Sequence, residues 1–297
     1  NSKICQETMC CRAMFCKRVE NIVRGRHPAE NELSLYHVVI IVNQKCSLGC
    51  KCCTSYMNEY PKEDRINIPY ERIAKDIDEF FDAVDSVGSV SVMGGEPFLH
   101  PDISKIIKKL LTKDNIGLIS IATTGTCEIT DEQLDGLTDS RITVGFSNYG
   151  DSLAERILNK MYRSIEKMKQ AGISYTVGVP MPQWLVPSTL YCLGDSVEEM
   201  TRKKQMCSMP PRCIVIKDGK LHPCDFGAAV YGLKIADYKT DYVCMDEFEE
   251  PSELKEEIRR YINQPYYQVC GHCHIGGMGI TAKAAEQGYM DFKKPIE

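Results

Sequence analysis

The chain has 297 residues, with 36 basic and 41 acidic side chains that give a formal charge of −5. This length supports a large core, so the 16 cysteines are not the staples of a disulfide-stabilised miniprotein. No basic stripe appears, which argues against nucleic-acid binding, and the longest strongly apolar run, residues 38–42, is too short to span a membrane. Residues 1–16 lack an apolar signal core, so we expect a cytoplasmic protein whose reduced thiols bind metal or carry redox chemistry.

Strand and helix patterns alternate over the first two thirds of the chain. Short β-branched runs predict strands at 35–42, 89–93, 117–123, 142–146 and 174–179. Helical spacing of apolar residues predicts helices at 70–87, 102–113, 131–137 and 153–171, with Asp102 as a candidate N-cap. Strands alternating with helices indicate right-handed βαβ units, so we expect an α/β fold with a parallel sheet that forms a partial barrel.

The pattern changes near residues 181–187, where three prolines interrupt it. A hairpin is predicted at 214–221, with its turn at Asp218 and Gly219, and a helix is predicted at 252–263. A glycine-rich stretch follows at 271–279. These features predict a second, small module.

Three cysteines follow the first predicted strand in a CxxxCxxC pattern, namely Cys46, Cys50 and Cys53. Ligand sites of parallel sheets lie at the carboxyl ends of the strands, where such a loop lies. Three thiolates can hold three irons of a cubane cluster and leave the fourth open to another ligand. The alternatives are a zinc loop or thiols without a chemical role, although the adjacent Cys52 would complete a zinc tetrahedron poorly.

The next predicted strand ends in a Gly-Gly-Glu-Pro turn that begins with Gly94 and Gly95. The glycines allow close approach of the backbone to a ligand, and Glu96 supplies a carboxylate for an amino group. This turn and the CxxxCxxC loop together resemble the radical S-adenosylmethionine (AdoMet) superfamily. The resemblance implies that the three cysteines carry a [4Fe–4S] cluster whose open iron takes AdoMet. It also implies that reductive cleavage of AdoMet gives a 5′-deoxyadenosyl radical, which abstracts a substrate hydrogen.

The resemblance implies further AdoMet contacts. The edge formed by Gly94, Gly95 and Glu96 matches the position that binds the methionine amino group. Other polar or apolar contact positions are matched by Thr123, Thr124, Ser147, Asn148 and Val179. Cys52 replaces a residue that is usually aromatic or bulky, so its backbone is expected beside the adenine without ring stacking.

Five cysteines lie in the second module: Cys207, Cys213, Cys224, Cys270 and Cys273. A hairpin pair and a distant CxxC can together form a four-thiolate site. The pattern resembles the twitch extension of radical AdoMet enzymes, a short version of the SPASM extension, which implies one auxiliary iron–sulfur cluster. We favour Cys207, Cys224 and the CxxC pair as ligands, with Cys213 as the substitute, and a structural zinc is the alternative.

Other residues receive simpler interpretations. His100 is expected to order its loop, and His272 and His274 are interpreted as solvated loop histidines. Trp184 is expected either to line the barrel mouth or to pack in the core. Apart from Cys52, the thiols outside the two cysteine sets are Cys5, Cys10, Cys11, Cys16, Cys127, Cys192 and Cys244. Of these, Cys244 is the candidate hydrogen-atom donor for an epimerase.

The resemblance divides the chain into three regions. Residues 1–34 form a cysteine-rich helical segment, 35–195 a partial (β/α)6 TIM-like barrel, and 196–297 a small α+β module with the auxiliary cluster.

The module, with the Ser-Asn-Tyr-Gly stretch at 147–150, looks similar to radical AdoMet proteins of carbohydrate biosynthesis. This similarity implies that the protein oxidises or epimerises a carbinol carbon in a sugar-like molecule or glycolipid. A flavodoxin- or ferredoxin-type protein would supply the electrons. The alternatives are modification of a ribosomal peptide and a non-catalytic iron–sulfur or zinc protein.

Overall fold

The computed structural model describes residues 31–207, 209, 213–275 and 277–294. The predicted thiol sites Cys5, Cys10, Cys11 and Cys16 lie outside these residues. The strands, in chain order, are β1 (Ser34–Ile41), β2 (Ser86–Met93), β3 (Ile116–Thr123), β4 (Ile142–Phe146), β5 (Tyr175–Val177), β6 (Gln183–Leu185), β7 (Cys213–Lys217), β8 (Lys220–His222), β9 (Val243–Cys244) and β10 (Thr281–Lys283). The α-helices are α1 (Tyr70–Ala83), α2 (Ile103–Leu111), α3 (Asp131–Leu134), α4 (Glu155–Gln170), α5 (Val197–Met206), α6 (Asp225–Gly232) and α7 (Pro251–Asn263).

One sheet of eight strands organises the molecule, in the order β5-β4-β3-β2-β1-β7-β8-β9. From β5 to β1 all neighbours pair in parallel, and a helix connects most successive strands. This arrangement confirms the predicted α/β fold class with a partial barrel. A separate two-stranded sheet pairs β6 with β10 in antiparallel fashion.

Strand β1 is buried on both faces, which explains why its sequence is a continuous apolar run rather than an alternating one. Val38 and Ile40 belong to the main core with Ile73 and Ile77 of α1. Val39 points to the other face and lies in a second apolar cluster. Fully burying an aliphatic side chain of this size stabilises the fold by about 1.5–3 kcal/mol. The strand that precedes the first cysteines is therefore firmly fixed.

Strand β7 pairs in parallel with the second edge of β1, with His37 opposite Cys213. It continues into antiparallel β8 through Asp218 and Gly219, both at positive φ, as the predicted hairpin requires. Segments on the two sides of the predicted boundary at residue 195 therefore share one sheet. The carboxyl ends of β1 and β7 lie at the same edge of this sheet.

Several element boundaries differ from the sequence prediction. Helix α1 ends at Ala83 rather than at residue 87 because residues 86–93 belong to β2, and α3 is only four residues long. Asp102 precedes α2 as predicted, but its side chain makes no cap bond and instead pairs with Lys105 at 2.6 Å. Helices α5 and α6 were not predicted from the sequence. No helix in the part of the chain that the structure describes is long and apolar enough to cross a membrane.

Candidate functional site

The first cysteine group, Cys46, Cys50 and Cys53, lies in the loop that follows β1. Burial, together with the neighbouring Cys53 and Cys46, raises the pKa of Cys50 to about 12. Burial likewise raises the pKa of Cys46 to about 11, with smaller contributions from Glu96 and Cys53. The three thiols therefore lie close enough to influence one another electrostatically. They adjoin an apolar cluster that contains Tyr149.

Backbone amides surround two of these sulfurs. The N–H of Leu48 donates to the Cys46 sulfur at 3.4 Å. Burial raises the pKa of Cys53, while amides of the following turn, including that of Tyr56, lower it. Within the described residues, no three His, Cys, Asp or Glu side chains meet closely enough to hold a single metal ion. In a cubane cluster each thiolate binds a different iron, so the thiolates do not need to meet at a single metal ion. Their burial and their electrostatic influence on one another are therefore used to judge whether a cluster would fit.

A segment near the C-terminus holds the cysteine loop in place. The Gln287 side-chain oxygen accepts a hydrogen bond from the N–H of Gly49 at 2.8 Å, and its amide donates to the Cys50 sulfur at 3.9 Å. The N–H of Lys51 donates to the carbonyl of Glu286 at 2.7 Å. This contact could not be predicted from the sequence, because the residues that it joins lie more than 230 positions apart.

Gly94 and Gly95 bring the end of β2 against the cysteine loop. A Cβ on Gly94 would lie 2.4 Å from the side-chain oxygen of Asn43, and one on Gly95 would lie 2.3 Å from the carbonyl oxygen of Lys45. The N–H of Glu96 donates to that Lys45 carbonyl at 2.7 Å. The contact of these glycines with AdoMet stays a prediction. In the structure they allow the backbone of the cysteine loop to approach the end of β2.

We expect Gly95→Ala to destabilise the protein by about 1–3 kcal/mol and to lower iron binding by the first cysteine group, because the new methyl group must push Lys45 and Cys46 away. Thermal unfolding and iron content measure the two effects. Gly49→Ala is the matched control in the same loop, since its Cβ would meet neighbours no closer than 3.5 Å. Equal behaviour of the two variants would contradict this interpretation.

Glu96 ties the carboxyl ends of β2 and β3 together. Its fully buried carboxylate accepts hydrogen bonds from the Thr123 hydroxyl and the Thr124 N–H, both at 2.8 Å, and from the Thr124 hydroxyl. It also accepts from the N–H of Phe98 at 3.2 Å. Burial raises the pKa of Glu96, and these donors partly offset that effect. The carboxylate thus fixes the strand ends that carry the predicted AdoMet positions.

The other predicted AdoMet positions follow β4 and β5 at the same sheet edge. The N–H of Ser147 donates to the Thr123 carbonyl at 2.8 Å, and the Asn148 side chain accepts from the N–H of Gly150 at 3.0 Å. Val179 lies beyond the end of β5 and is 44% exposed. Cys52 is buried in the main core, so its side chain points away from solvent.

The remaining residues singled out from the sequence occupy defined places. His100 contacts the Ile68 carbonyl at 2.8 Å and accepts from the Asp102 N–H, so it orders its loop as predicted. Trp184 packs edge-to-face on Tyr149 at 5.4 Å, beside the first cysteine group. Cys244 ends the edge strand β9, about 14 Å from β1 at the usual spacing of strands. Its role as hydrogen donor stays a prediction.

An unassigned thiol, Cys127, lies near the first cysteine group. Burial raises its pKa to about 12, with smaller contributions from Glu96 and Cys46. The preceding residue, Thr126, hydrogen-bonds the hydroxyl of Ser47 and so joins the loop after β3 to the cysteine loop. The sequence offered no signal for this placement, because Cys127 belongs to no motif.

The five cysteines of the second module differ in which neighbouring thiols raise their pKa values. The pKa of Cys224 is raised well above its ordinary value by burial, and the thiolates of Cys273 and Cys207 add to this effect. Burial raises the pKa of Cys270 to about 11, with contributions from the same two thiolates. Burial raises the pKa of Cys213 to about 12, but Cys207 is the one cysteine among the groups that act on it. These contributions link Cys207, Cys224, Cys270 and Cys273 with one another, and they link Cys213 to Cys207 alone.

His272 is buried, so its interpretation as a solvated loop histidine was wrong. One ring nitrogen contacts the Leu190 carbonyl at 2.8 Å, and the other contacts the Tyr238 hydroxyl at 2.9 Å. Because a carbonyl only accepts, the first nitrogen donates and the second accepts from the tyrosine. The histidine thereby anchors the loop that carries Cys270 and Cys273. His274 is half-buried, and its Nδ1 has no hydrogen-bond partner among the described residues.

Tyr56 connects the two cysteine groups, a feature that the sequence analysis missed. Its N–H donates to the Cys53 carbonyl at 3.0 Å, and its hydroxyl donates to the Ser188 carbonyl at 2.6 Å. The Ser188 hydroxyl in turn donates to the Cys273 sulfur at 3.7 Å. Burial raises the pKa of Tyr56, with contributions from Cys273, Cys224 and Cys53. Its φ of 55° is rare for a bulky residue, and such backbone conformations often occur at functional sites.

Comparisons with known proteins match part of this chain. Residues 40–183 match the family model of the Radical SAM superfamily, in which SAM denotes AdoMet. GTP 3′,8-cyclase 1 of Mycobacterium tuberculosis is 30% identical over 112 residues, which cover 35% of this chain and 30% of that protein. The chain therefore spans less than a third of the length of that relative.

Two solved structures align with a larger share of the chain. Native anSMEcpe with bound AdoMet aligns with a TM-score of 0.51 and 13% identity, covering 76% of this chain and 82% of that chain. BtrN in complex with AdoMet and 2-DOIA aligns with a TM-score of 0.49 and 13% identity, covering 82% of this chain and 94% of that chain. At such identity the resemblance to anSMEcpe concerns the fold alone.

Proposed function

We propose that this protein cleaves AdoMet with a [4Fe–4S] cluster held by Cys46, Cys50 and Cys53, since residues 40–183 match the family model of the Radical SAM superfamily. The observation that carries the proposal is the mutual electrostatic influence of these three thiols, one buried and two half-buried, at the carboxyl edge of the sheet. A reduced cluster with bound AdoMet supplies a 5′-deoxyadenosyl radical, which abstracts a hydrogen atom from the substrate.

The donor set fits this group. Thiolates are the usual protein ligands of iron–sulfur clusters, and a raised pKa keeps the thiols neutral until a metal displaces their protons. The amides near Cys46 and Cys53 offer hydrogen bonds to sulfur, a contact that tunes the potential of a bound cluster. The apolar neighbours Leu48 and Tyr149 limit the access of water to the site.

AdoMet would lie along the strand ends next to this loop. The Gly94–Glu96 edge would take the methionine amino group, and the carboxylate of Glu96 keeps that edge in place through its bonds to Thr123 and Thr124. Ser147 and Asn148 at the end of β4 would contact the ribose. Val179 and the backbone of Cys52 would contact the adenine.

The second cysteine group would hold an auxiliary iron–sulfur cluster. Cys207, Cys224, Cys270 and Cys273 influence one another electrostatically, which supports this choice of ligands over one that includes Cys213. A twitch module at the C-terminus is part of this proposal. Electrons for the first cluster would come from a flavodoxin- or ferredoxin-type protein.

The proposed substrate is a sugar-like small molecule or glycolipid with a carbinol carbon as the reacting atom. Dehydrogenation would convert the alcohol to a ketone and lower the product mass by two hydrogens. One hydrogen atom would pass to the 5′-deoxyadenosyl radical, one proton would pass to solvent, and the auxiliary cluster would accept the remaining electron. Epimerisation in deuterated water would instead leave one solvent deuterium on the product. Mass spectrometry of the product distinguishes these reactions, and a thioether or other crosslink on a peptide would contradict both.

Anaerobic reconstitution followed by reduction with AdoMet tests the proposal. We expect about eight irons per chain, four for each cluster, and release of 5′-deoxyadenosine. The amounts are measured by iron analysis and chromatography. Tightly held zinc without AdoMet cleavage would contradict the proposed function.

A further inference from the structure

A segment near the C-terminus crosses the first cysteine group, and we call its residues 281–292 the strap. The strap begins with strand β10, which pairs with β6. Its other end is held by the carbonyl of Phe292, which accepts from the N–H of Leu190 at 2.6 Å. The Phe292 ring is buried and meets Tyr56 edge-to-face at 5.4 Å. Both ends of the strap are therefore anchored, and the residues between them are held against the cysteine loop.

Between its anchors the strap pairs with the cysteine loop in antiparallel fashion. Cys50 and Gln287 lie opposite each other in this pairing. The N–H of Gly288 donates to the carbonyl of Gly49 at 2.9 Å. The side-chain amide of Asn58 joins the two segments, since it donates to the carbonyl of Gly288 at 2.8 Å and to that of Cys50 at 3.0 Å. The backbone of Gln287 is thus placed beside Cys50 by bonds that do not involve the Gln287 side chain.

The side-chain amide of Gln287 has three contacts, and their chemistry fixes which way it faces. Its oxygen accepts from the N–H of Gly49 at 2.8 Å, and its nitrogen donates to the carbonyl of Ala285 at 2.7 Å. An N–H only donates and a carbonyl only accepts, so exchange of the amide oxygen and nitrogen would break both bonds. The second hydrogen of the nitrogen is left for the Cys50 sulfur, 3.9 Å away.

The Cys50 sulfur depends on this donor more than its neighbours do. Backbone amides lie against Cys46 and Cys53. Among the residues that the structure describes, Gln287 is the one group that donates to the Cys50 sulfur. Cys50 is buried in an apolar cluster to which the strap contributes Ala285, itself 1% exposed. A hydrogen bond is electrostatically stronger in such surroundings than in water.

We propose that Gln287 is a positioning residue of the AdoMet cluster, which holds the Cys50 loop in place and donates to the Cys50 sulfur so that the bound cluster is easier to reduce. The inference rests on the proposed function and extends its AdoMet site to the strap. A donor beside the sulfur stabilises the electron that the cluster gains, so loss of the donor lowers the reduction potential. Because AdoMet cleavage requires that electron, the strap sets how readily the reaction starts.

Gln287→Met and Gln287→Glu separate the two roles of the amide. Methionine keeps the length and neutrality of the side chain but lacks the donor, whereas glutamate keeps an oxygen that accepts from Gly49. Gln287 is itself exposed, so neither substitution leaves a cavity. The anaerobically reconstituted proteins are titrated with a reductant and followed by electron paramagnetic resonance. The signal of the first cluster is the one that Cys50→Ser lacks.

The measured quantity is the ratio of reduced to oxidised first cluster at the midpoint potential of the unsubstituted protein. We expect this ratio to fall about threefold in Gln287→Met. It should fall further in Gln287→Glu, because the negative charge adds to the loss of the donor. The auxiliary cluster in the same samples should keep its ratio.

Hydrogen exchange and iron content test the positioning role. Exchange of the peptide that contains Gly49, measured by mass spectrometry, should be faster in Gln287→Met and unchanged in Gln287→Glu. If Gln287→Met holds about four irons and Gln287→Glu about eight, the amide oxygen is needed for cluster assembly, which supports the inference. Loss of about four irons from both variants would overturn it, because glutamate retains the acceptor for Gly49.

Gln183→Met is the matched control. Gln183 is exposed on β6 and pairs with Lys283 of the strap, so its substitution should change neither the ratio nor the exchange nor the iron content. An unchanged ratio in Gln287→Met with full iron content, or an equal fall in Gln183→Met, would overturn the inference. AdoMet cleavage is measured separately. Cleavage with an unchanged ratio would refute only the role of Gln287, and a lowered ratio without cleavage by the unsubstituted protein would refute only the proposed function.

Discussion

Cys50→Ser is expected to abolish 5′-deoxyadenosine formation and to lower the iron content from about eight to about four per chain. Serine preserves the shape of this buried side chain but is a poor ligand for iron, and two thiolates do not hold a cubane cluster. The auxiliary iron should remain, because the second cysteine group is separate. Iron analysis and chromatography of the reduced reaction with AdoMet provide the measurement.

Cys192→Ser is the control for this experiment. Cys192 is exposed and belongs to neither cysteine group, so both the iron content and the rate of AdoMet cleavage should match those of the unsubstituted protein. Cleavage retained in Cys50→Ser would show that the three thiols do not form the AdoMet site. Iron lost from both cysteine groups at once would instead show that they do not assemble independently.

Cys207→Ser and Cys213→Ser are expected to behave differently. Cys207 contributes to the raised pKa of Cys224 and of Cys270, whereas Cys213 is coupled among the cysteines to Cys207 alone. Cys207→Ser should therefore lose about four irons, and Cys213→Ser should keep about eight. Electron paramagnetic resonance of the reduced proteins shows which cluster is missing.

Both variants test more than iron content. Each keeps the first cysteine group, so AdoMet cleavage without substrate should persist in both. The opposite pattern, in which Cys213→Ser loses the iron and Cys207→Ser keeps it, would exchange the two residues as ligands. Iron retained in both variants would contradict the assignment of four thiolates as ligands of the auxiliary cluster.

The sequence predicts the βαβ region well because its signals are local. The β-branched run of β1 and the cysteines after it can be recognised without any long-range information. Helix α6 was missed because it is short, contains two glycines and is apolar on most sides. Helix α5 is largely polar, so its apolar periodicity is weak despite the Ser196 cap.

Contacts that join distant segments could not be predicted. The pairing of β7 with β1, the Gln287 contact to the cysteine loop and the burial of His272 each depend on residues far apart in the sequence. The packing of Gly95 could not be predicted for the same reason, because the carbonyl that requires its small size belongs to the loop after another strand.

The parallel pairing of β7 with β1 also affects how the protein is made. His37 leaves the ribosome well before Cys213, and at 5–20 residues per second the delay is on the order of ten seconds. During that interval the second edge of β1 has no partner, and unpaired hydrophobic strand edges promote association between chains. Nascent chains therefore pass through a period of aggregation risk that ends only when β7 is synthesised. The strand that presents the first cysteines reaches its final sheet environment late in translation, rather than when those cysteines emerge.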